Sequence, residues 1–295
     1  VDNLGALFGR GLGPHATASR VSTLSFFLRL FFEGWLNDIS ATVERDPALR
    51  AAAPTGGLLY SIYCGGDDVF IVGAWDRMPL LAQRINDDLH AFAAKNARVH
   101  ASAGIALVAA DYPLYRAADD ARAALEKAKD FSRPDGAIAG AAAFPDEAKK
   151  RALGFLDHTL GWEDVPAVRD AVDLVWGLLR PRENGEAPVP RALLRVCGEV
   201  AEAYRAAEDA AKKRAERSGA AAPRKIVWGR WLWLQVYALS RLAERTRPHD
   251  AAAAEALLEL QRRLSAGDHP LIPHLGLVAR WVELLLRERS DDGGR

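Results

Sequence analysis

The 295-residue chain is 49% hydrophobic and 26% charged, which is typical of a globular protein long enough for about two domains. Its 39 basic residues equal its 39 acidic residues, so the total charge does not attract the whole molecule to nucleic acid or to a membrane surface. Its two cysteines, Cys64 and Cys197, are too few for a disulfide framework or a four-cysteine zinc site. We therefore expect a protein of the reducing cytoplasm.

The most apolar stretch of the sequence is too short and too charged to span a membrane. It runs from Leu24 to Leu36 and contains Arg29 and Glu33, whereas a spanning helix needs about 20 apolar residues. The chain does not open with a charged segment followed by an apolar one, so we expect neither a signal peptide nor a membrane partner.

The first half of the chain mixes helix-like and strand-like segments. Apolar residues from Val21 to Trp35 recur every three or four positions behind Ser19, which predicts an amphipathic helix capped by Ser19. Residues 58–63 and 69–72 are short β-branched and aromatic runs, and Cys64-Gly65-Gly66-Asp67-Asp68 between them is typical of a hairpin turn. The tetrapeptide Gly-Gly-Asp-Asp is therefore predicted to lie on that turn.

A helix, a strand and a further helix are predicted after the hairpin. Asp76 can cap a helix that carries Leu81 to Phe92, residues 99–108 favour a strand, and Ala118 to Ala128 favour the last helix. With one more strand at or before Val1, this order predicts a ferredoxin-like α+β fold in which helices cover one face of an antiparallel sheet.

The second half of the chain has a different pattern. After about Pro145 the apolar residues keep helical spacing, and stripes such as Leu193 to Tyr204 and Val236 to Leu242 predict five or six helices. We therefore predict an α+β domain over residues 1–145 and an all-α helical bundle over residues 146–295.

Two adjacent carboxylates lie on the predicted hairpin turn. Asp67 and Asp68 repel each other, and a simple turn needs only one Asp beside Gly. The pair indicates a hard cation, because Mg²⁺ is held by one or two carboxylates together with phosphate oxygens. Gly65 and Gly66 let phosphates approach the backbone, and a two-metal site can activate a ribose hydroxyl and stabilise leaving pyrophosphate. The pattern favours a nucleotidyl-transfer site, with an ordinary acidic hairpin as the alternative.

Four segments, in chain order and at plausible spacing, match the motifs of one known family. They are Val1–Gly5, Ser19–Ser25, Tyr63–Gly73 and Ser102–Ile105. Together they resemble the large polymerase-like subunit of type III-A (Csm) CRISPR effector complexes. Residues 155–162 also resemble the start of the C-terminal helical domain of that subunit.

The resemblance implies a fold, an activity and partners. Residues 1–145 are then the second palm domain of the polymerase and nucleotide-cyclase type, and residues 146–295 the helical domain that packs beside other subunits. The implied enzyme is a nucleotidyltransferase that uses Mg²⁺ or Mn²⁺ to polymerise ATP into cyclic oligoadenylate second messengers when target RNA is bound. The implied partners are ATP, the other effector subunits, and guide and target RNA held through the complex.

The resemblance also assigns roles to the acids and glycines. Asp67 and Asp68 match the catalytic metal-binding acids, and Gly65 and Gly66 match the turn that approaches the triphosphate. Asp2 matches the second acid of an Asp-x-Asp strand end and is a further metal candidate, and the first acid of that motif would precede the sequence.

Three more residues are candidates for nucleotide binding. Ser19 and Arg20 lie in one matching segment and are expected near bound nucleotide, although capping explains Ser19 equally well. Diguanylate-cyclase palms are similar in outline and carry a phosphate-contacting lysine on their last helix. Residues 124–129 are similar to that helix and make Lys129 the candidate, with a solvated lysine as the alternative.

The helical half contains basic and aromatic clusters. Within residues 191–230, ten basic residues stand against five acidic ones, and Lys212 to Arg214 can meet RNA phosphate or form a solvated face. Trp228 and Trp231 can stack on bases, although their spacing favours a buried helix–helix contact.

Two alternatives to cyclic oligoadenylate synthesis remain open. One is a diguanylate-cyclase-like enzyme that uses GTP, although Val69-Phe70 replaces the usual aromatic residue after the acidic pair. The other is a non-catalytic palm scaffold that holds guide RNA and neighbouring subunits, in which the acidic pair tolerates substitution. A phosphohydrolase-like nuclease is not indicated, because His249-Asp250 is a lone pair that we interpret as a helix start with Asp250 near the N-cap.

Overall fold

The chain forms two compact units, Val1–Trp162 and Glu163–Arg295. The computed structural model describes residues 1–2, 4–45, 58–65, 68–96, 99–131, 150–182, 185–219, 226, 228–267 and 270–292. Among the helices in these ranges, none combines the length and the apolar character that crossing a bilayer requires.

The first unit mixes helices and strands. Its α-helices within the described residues are α1 (Leu4–Ala6), α2 (Ala18–Arg29), α3 (Leu36–Glu44), α4 (Met78–Phe92) and α5 (Leu114–Lys129). Its strands are β1 (Leu59–Gly65), β2 (Asp68–Gly73), β3 (Ala103–Ile105), β4 (Ala152–Phe155) and β5 (His158–Gly161). Two π-helical turns, Leu7–Gly11 and Leu30–Trp35, follow α1 and α2, and Gly13–His15 is a 3₁₀ turn. The predicted α+β class is confirmed.

Two predicted helix caps are wrong. Thr17, not Ser19, caps α2, because its side-chain oxygen accepts a hydrogen bond from the N–H of Arg20 at 3.3 Å. Asp76 does not cap α4, which begins at Met78 without a side-chain cap. Pro79 lies in the first turn of α4, where its fixed φ favours helix initiation and its missing N–H leaves one donor fewer to satisfy.

The first core lies between helices α2 to α4 and the inner face of the β1–β2 hairpin. Its most buried members are Leu28, Phe31, Phe32, Ile39, Val43, Leu81, Leu89 and Val99. Strand β1 contributes both Leu59 and Cys64, which a regular strand would place on opposite faces because successive side chains alternate. A bulge between Ser61 and Tyr63 shifts the register by one residue and returns Cys64 to the core face.

Within the described residues the strands form two separate sheets rather than the single antiparallel sheet that the sequence predicts. Strands β1 and β2 pair with each other in an antiparallel hairpin, while β3 pairs parallel to β4 and β4 pairs antiparallel to β5. Strand β3 is shorter than the predicted 99–108. Helix α5 packs on β3 and β4, where Gly104 and Gly154 let the helix backbone approach the sheet.

The unit boundary lies at Trp162 and not at the predicted residue 145. Residues 155–162, expected to open the helical domain, instead lie in the β4–β5 hairpin and its continuation. The hairpin adds to β3, and the indole N–H of Trp162 donates to the carbonyl oxygen of Ala101 at 2.8 Å. These contacts hold the segment in the first unit.

The second unit is the predicted helical bundle. Its α-helices within the described residues are α6 (Val165–Leu179), α7 (Ala192–Ser218), α8 (Arg230–Thr246), α9 (Ala251–Ser265) and α10 (Leu275–Asp292), and Ile272–His274 is a 3₁₀ turn before α10. The predicted stripe from Leu193 to Tyr204 is buried at its helical spacing. Asp250 caps α9 as predicted, accepting from the N–H of Ala253 at 2.9 Å.

The tryptophan prediction is correct for one residue and wrong for the other. Trp231 is completely buried and meets the ring of Tyr204 edge-on, with ring centroids 5.5 Å apart. Trp228 is 70% exposed, because it precedes the start of α8 at Arg230 and helical spacing does not apply to it.

Candidate active site

The β1–β2 hairpin brings two of the four predicted tetrapeptide residues together. Strand β1 ends at Gly65 and β2 begins at Asp68, and these two residues are register partners across the ladder. Gly66 and Asp67 lie outside the described residues. The hairpin itself is therefore confirmed, and we refer to Gly65–Asp68 as the hairpin tip.

The carboxylate of Asp68 is available to a ligand. The residue is exposed, and its side chain makes no hydrogen bond or ion pair with any residue that the structure describes. No residue in the described part of the chain therefore prevents the two oxygens from binding a hard cation such as Mg²⁺. In the described ranges no cluster of three or more His, Cys, Asp or Glu side chains could hold a metal by itself, and Asp67 is outside them. Metal binding by the acidic pair stays a prediction.

Gly65 lies under an aromatic side chain that sequence reasoning missed. A Cβ atom at this position would lie 2.5 Å from the Tyr63 hydroxyl oxygen and 2.8 Å from the Tyr63 Cζ atom. Tyr63 is 56% exposed, so its phenol hydroxyl lies at the surface beside the backbone of the tip. The signal was available in the sequence, because residues two apart on a strand share a face.

The base of the tip is fixed to the π-helical turn that follows α2. The Cys64 thiol donates to the carbonyl oxygen of Phe32 at 2.7 Å. Burial and, secondarily, the nearby carboxylate of Glu33 raise the pKa of the Cys64 thiol. Two parallel hydrogen bonds of 3.2 Å from Arg29 hold that carboxylate. The structure thus adds an Arg29–Glu33 pair next to the tip, which the sequence showed only as two charges in an apolar stretch.

Asp2 lies in a buried hydrogen-bond network. It is 4% exposed, and its Oδ2 atom accepts from Ser102 Oγ at 2.7 Å and lies 3.0 Å from His100 Nδ1. Burial alone would raise the pKa of Asp2, but the hydrogen bonds from His100 and Ser102 outweigh it and lower the pKa. Ser102 Oγ also accepts from the N–H of Arg151 at 3.1 Å. One carboxylate oxygen of Asp2 is therefore already engaged, and its role as a metal ligand stays a prediction.

The three remaining candidates lie on helix ends. Ser19 and Arg20 are exposed in the first turn of α2, where Arg20 Nη1 donates to the carbonyl oxygen of His15 at 3.3 Å. Lys129 ends α5 and pairs with Glu126 at 3.2 Å. Within the described part of the chain, none of the three is hydrogen-bonded or ion-paired to Asp68. Their contact with nucleotide stays a prediction.

Comparison with known families confirms the resemblance drawn from the sequence. Residues 1–137 match the family described as Cas10/Cmr2, second palm domain. Three curated relatives bear the name CRISPR system single-strand-specific deoxyribonuclease Cas10/Csm1 (subtype III-A). The protein from Methanocaldococcus jannaschii is 40% identical over 131 residues, which cover 44% of this chain and 16% of the relative. Those from Thermococcus onnurineus and Mycobacterium tuberculosis are 33% and 35% identical, over 45% and 39% of this chain and 17% and 14% of the relatives.

The fold similarity extends further than the sequence similarity. The crystal structure of Csm1 from Thermococcus onnurineus superposes with a TM-score of 0.55 at 21% identity, over 97% of this chain and 36% of that one. This match supports the fold of both units. Since the curated matches cover less than a fifth of each relative's length, the whole relatives extend well beyond the region shared with this chain.

Proposed function

We propose that this chain, whose residues 1–137 match the family described as Cas10/Cmr2, second palm domain, serves in a type III-A CRISPR effector complex and polymerises ATP into cyclic oligoadenylates when target RNA is bound. The observation that carries the proposal is the geometry of the hairpin tip. Gly65 and Asp68 are register partners at the end of the ladder, and the Asp68 carboxylate is exposed and unpaired in the described structure. The tip thus presents an exposed carboxylate across the ladder from Gly65, beside which the Tyr63 hydroxyl lies.

The reaction joins two ATP molecules. The ribose 3′ hydroxyl of one attacks the α-phosphorus of the other, pyrophosphate leaves, and the hydroxyl proton passes to water. Mg²⁺ or Mn²⁺ bound at the tip would lower the pKa of the attacking hydroxyl and neutralise the leaving pyrophosphate, which removes the need for a prominent protein base.

The residues of the chain bind and orient the nucleotides in this proposal. Asp67 and Asp68 supply the oxygen ligands, and Gly65 with Gly66 lets a triphosphate lie against the backbone. The hydroxyl of Tyr63, which lies beside Gly65, is a donor within reach of such a phosphate.

We do not extend the deoxyribonuclease activity in the relatives' name to this chain. Asp250 of the His249-Asp250 pair has the structural role that the sequence predicts, because it caps α9, and it also forms an ion pair with Arg182 at 2.6 Å. In our proposal that activity belongs to the part of the relatives that the matched region does not cover.

The proposed partners follow from the same family. We propose that the chain meets guide and target RNA and the other effector subunits inside the complex, in the cytoplasm. One observation is compatible with a reducing compartment: Cys64 and Cys197 are both free thiols.

A direct assay tests the proposal. The chain is assembled with the remaining complex and target RNA, labelled ATP or GTP is added with Mg²⁺ or Mn²⁺, and products are identified by mass. The acidic pair is removed in a double variant, Asp67→Asn with Asp68→Asn, which keeps side-chain size. Asp209→Asn on α7 is the matched control, since it removes an exposed carboxylate from the second unit.

Each outcome has a distinct meaning. Cyclic adenylates that disappear in the double variant and persist in the control support the proposal. Products that persist in the double variant show that the acidic pair is not the catalyst. A wild-type complex that assembles normally and makes no adenylate supports the scaffold alternative, and guanylates in place of adenylates support the diguanylate-cyclase alternative.

A further inference from the structure

One side of the β1–β2 hairpin faces away from the core and leads to the tip. Residues opposite each other in an antiparallel ladder point to the same side of the sheet. Gly65 is the register partner of Asp68, and Tyr63 is the register partner of Phe70. Val69, which lies between Asp68 and Phe70 on β2, packs against the core instead. Because successive residues alternate, the two register pairs share the side away from the core, which we call the open face.

The ring of Tyr63 is directed along the open face toward the tip. A Cβ atom at Gly65 would lie 2.5 Å from the Tyr63 hydroxyl oxygen and 3.2 Å from its Cε2 atom, so the far end of the ring covers this glycine. Although it covers Gly65, Tyr63 is 56% exposed, and other side chains do not enclose the ring. An aromatic ring in this setting can stack with the flat ring system of a ligand.

The Tyr63 ring lies about one ribose away from the carboxylate at the tip. Phe70, the register partner of Tyr63, follows Asp68 by two residues, which is about 7 Å at the rise of an antiparallel strand. In a nucleotide, a single ribose joins the base to the 5′ phosphates and bridges a gap of this order. A nucleotide whose phosphates reach a cation at Asp68 can therefore place its base against Tyr63.

We propose that Tyr63 is the stacking platform for the base of the nucleotide whose phosphates bind at the hairpin tip. This inference rests on the proposed function, to which it adds the residue that holds the base. Stacking on an aromatic side chain tolerates any base, because every base has a π face. Tyr63 thus holds ATP and GTP alike, and other contacts make the choice between them.

The test compares ligands with and without a base. Isothermal titration calorimetry of the full 295-residue chain measures the affinities for ATP and for inorganic tripolyphosphate, each with Mn²⁺. Tyr63→Phe removes the hydroxyl and keeps the ring, whereas Tyr63→Leu also removes the ring. We expect the Leu variant to bind ATP about tenfold more weakly than the Phe variant, and the two variants to bind tripolyphosphate equally. GTP should show the same difference as ATP.

Tyr60 provides the matched control. It is 68% exposed on the same open face, but its register partner Val72 follows Asp68 by four residues, about 14 Å along β2. One ribose does not bridge that distance. Tyr60→Phe and Tyr60→Leu should therefore bind ATP equally.

Three results would overturn the proposal. They are equal ATP affinities of the two Tyr63 variants, an equal loss of affinity for ATP and for tripolyphosphate between them, and no binding of ATP by the wild-type chain. The second result is expected if the ring only covers Gly65 and thereby supports the strand.

The assay measures binding without turnover, so it fails independently of the proposed function. A chain that shows the base-dependent loss but makes no adenylate in the assembled complex retains the role of Tyr63 and loses the proposed activity. Adenylate synthesis together with equal ATP affinities of the two Tyr63 variants overturns the role of Tyr63 alone.

Discussion

Asp2 and His100 are joined twice. The main-chain N–H of Asp2 donates to the carbonyl oxygen of His100 at 2.8 Å, and the Asp2 carboxylate lies 3.0 Å from the His100 ring nitrogen. Both residues are buried, with 4% of each exposed. The start of the chain is therefore anchored beside residues 100–102 by a charged group that has little access to water.

This anchor predicts an acid-sensitive contribution to stability. The pKa of Asp2 lies below its ordinary value in the folded state, so its contribution is present above that ordinary value and is lost as the pH falls through the lowered one. We expect Asp2→Asn to cost about 2 kcal/mol at about pH 7, because charged hydrogen bonds are lost. Thermal unfolding of the wild-type protein and of the Asp2→Asn variant is measured from about pH 7 to about pH 3. The difference between their free energies of unfolding should become smaller at the acidic end. A difference of equal size at both ends would contradict the assignment.

The close approach of α5 to the sheet predicts intolerance at two glycines. A Cβ atom at Gly104 would lie 2.2 Å from the Leu125 nitrogen, and one at Gly154 would lie 2.4 Å from the Ala124 carbonyl oxygen. These neighbours are helix backbone and cannot rotate away, so Ala at either position should strongly destabilise the first unit. A Cβ atom at Gly177 in α6 would meet no atom within 4 Å, and Gly177→Ala should stabilise by about 0.5–1 kcal/mol. Relative to the wild-type protein, the melting temperature should fall in the Gly104 and Gly154 variants and rise in the Gly177 variant.

The buried side chain of Arg77, the residue before α4, contacts the last carbonyl groups of α3. We predict that its replacement lowers the stability of the protein strongly, although arginine usually lies at the surface. Arg77 is 2% exposed, and its Nη1 atom donates to the carbonyl oxygens of Val43 at 3.4 Å and Glu44 at 3.3 Å. These carbonyls lie at the negative end of the helix dipole, so Arg77→Met should cost about 3 kcal/mol.

The matched control is Arg84→Met on α4. Arg84 pairs with Asp88 at 2.9 Å and its side chain is 50% exposed, so we expect a loss of no more than about 0.5 kcal/mol. Denaturant midpoints of the two variants provide the comparison, and similar values would show that the Arg77 contacts contribute little.

The sequence was informative where local signals and tertiary packing agree. The hairpin was predictable because β-branched runs flank a glycine-rich turn, and the α7 stripe because its apolar residues repeat at helical spacing. The bulge at Ile62 was not predictable, because the alternation of side chains along a strand predicts their faces only when no extra residue is inserted. Strand β4 was missed for a related reason: all four of its residues are buried, so the alternation that marks a half-exposed strand is absent.

The candidate site shows the same division. The position of the hairpin tip follows from residues that are adjacent in the sequence, and the predicted turn between β1 and β2 is the one observed. The partners of Asp2 are about a hundred positions away, at His100 and Ser102, and no local pattern connects them. Glu33 lies in a π-helical turn near Cys64, and ordinary helical spacing does not anticipate that turn.

The effect of the Glu33 carboxylate on Cys64 predicts the reactivity of that thiol. Burial and the Glu33 carboxylate both raise the thiol pKa, so Glu33→Gln removes one of the two causes and lowers it. At about pH 8 the variant should hold more thiolate and react faster with iodoacetamide at Cys64.

Cys197 is an internal control, because burial raises its pKa to about 12 and it should stay unmodified in both proteins. Mass spectrometry of the alkylated peptides gives both rates from one sample. If the Cys64 rate is unchanged while the fold is intact, the Glu33 carboxylate does not act on Cys64. If both cysteines react faster, the substitution has loosened the fold and the melting temperature will fall with it.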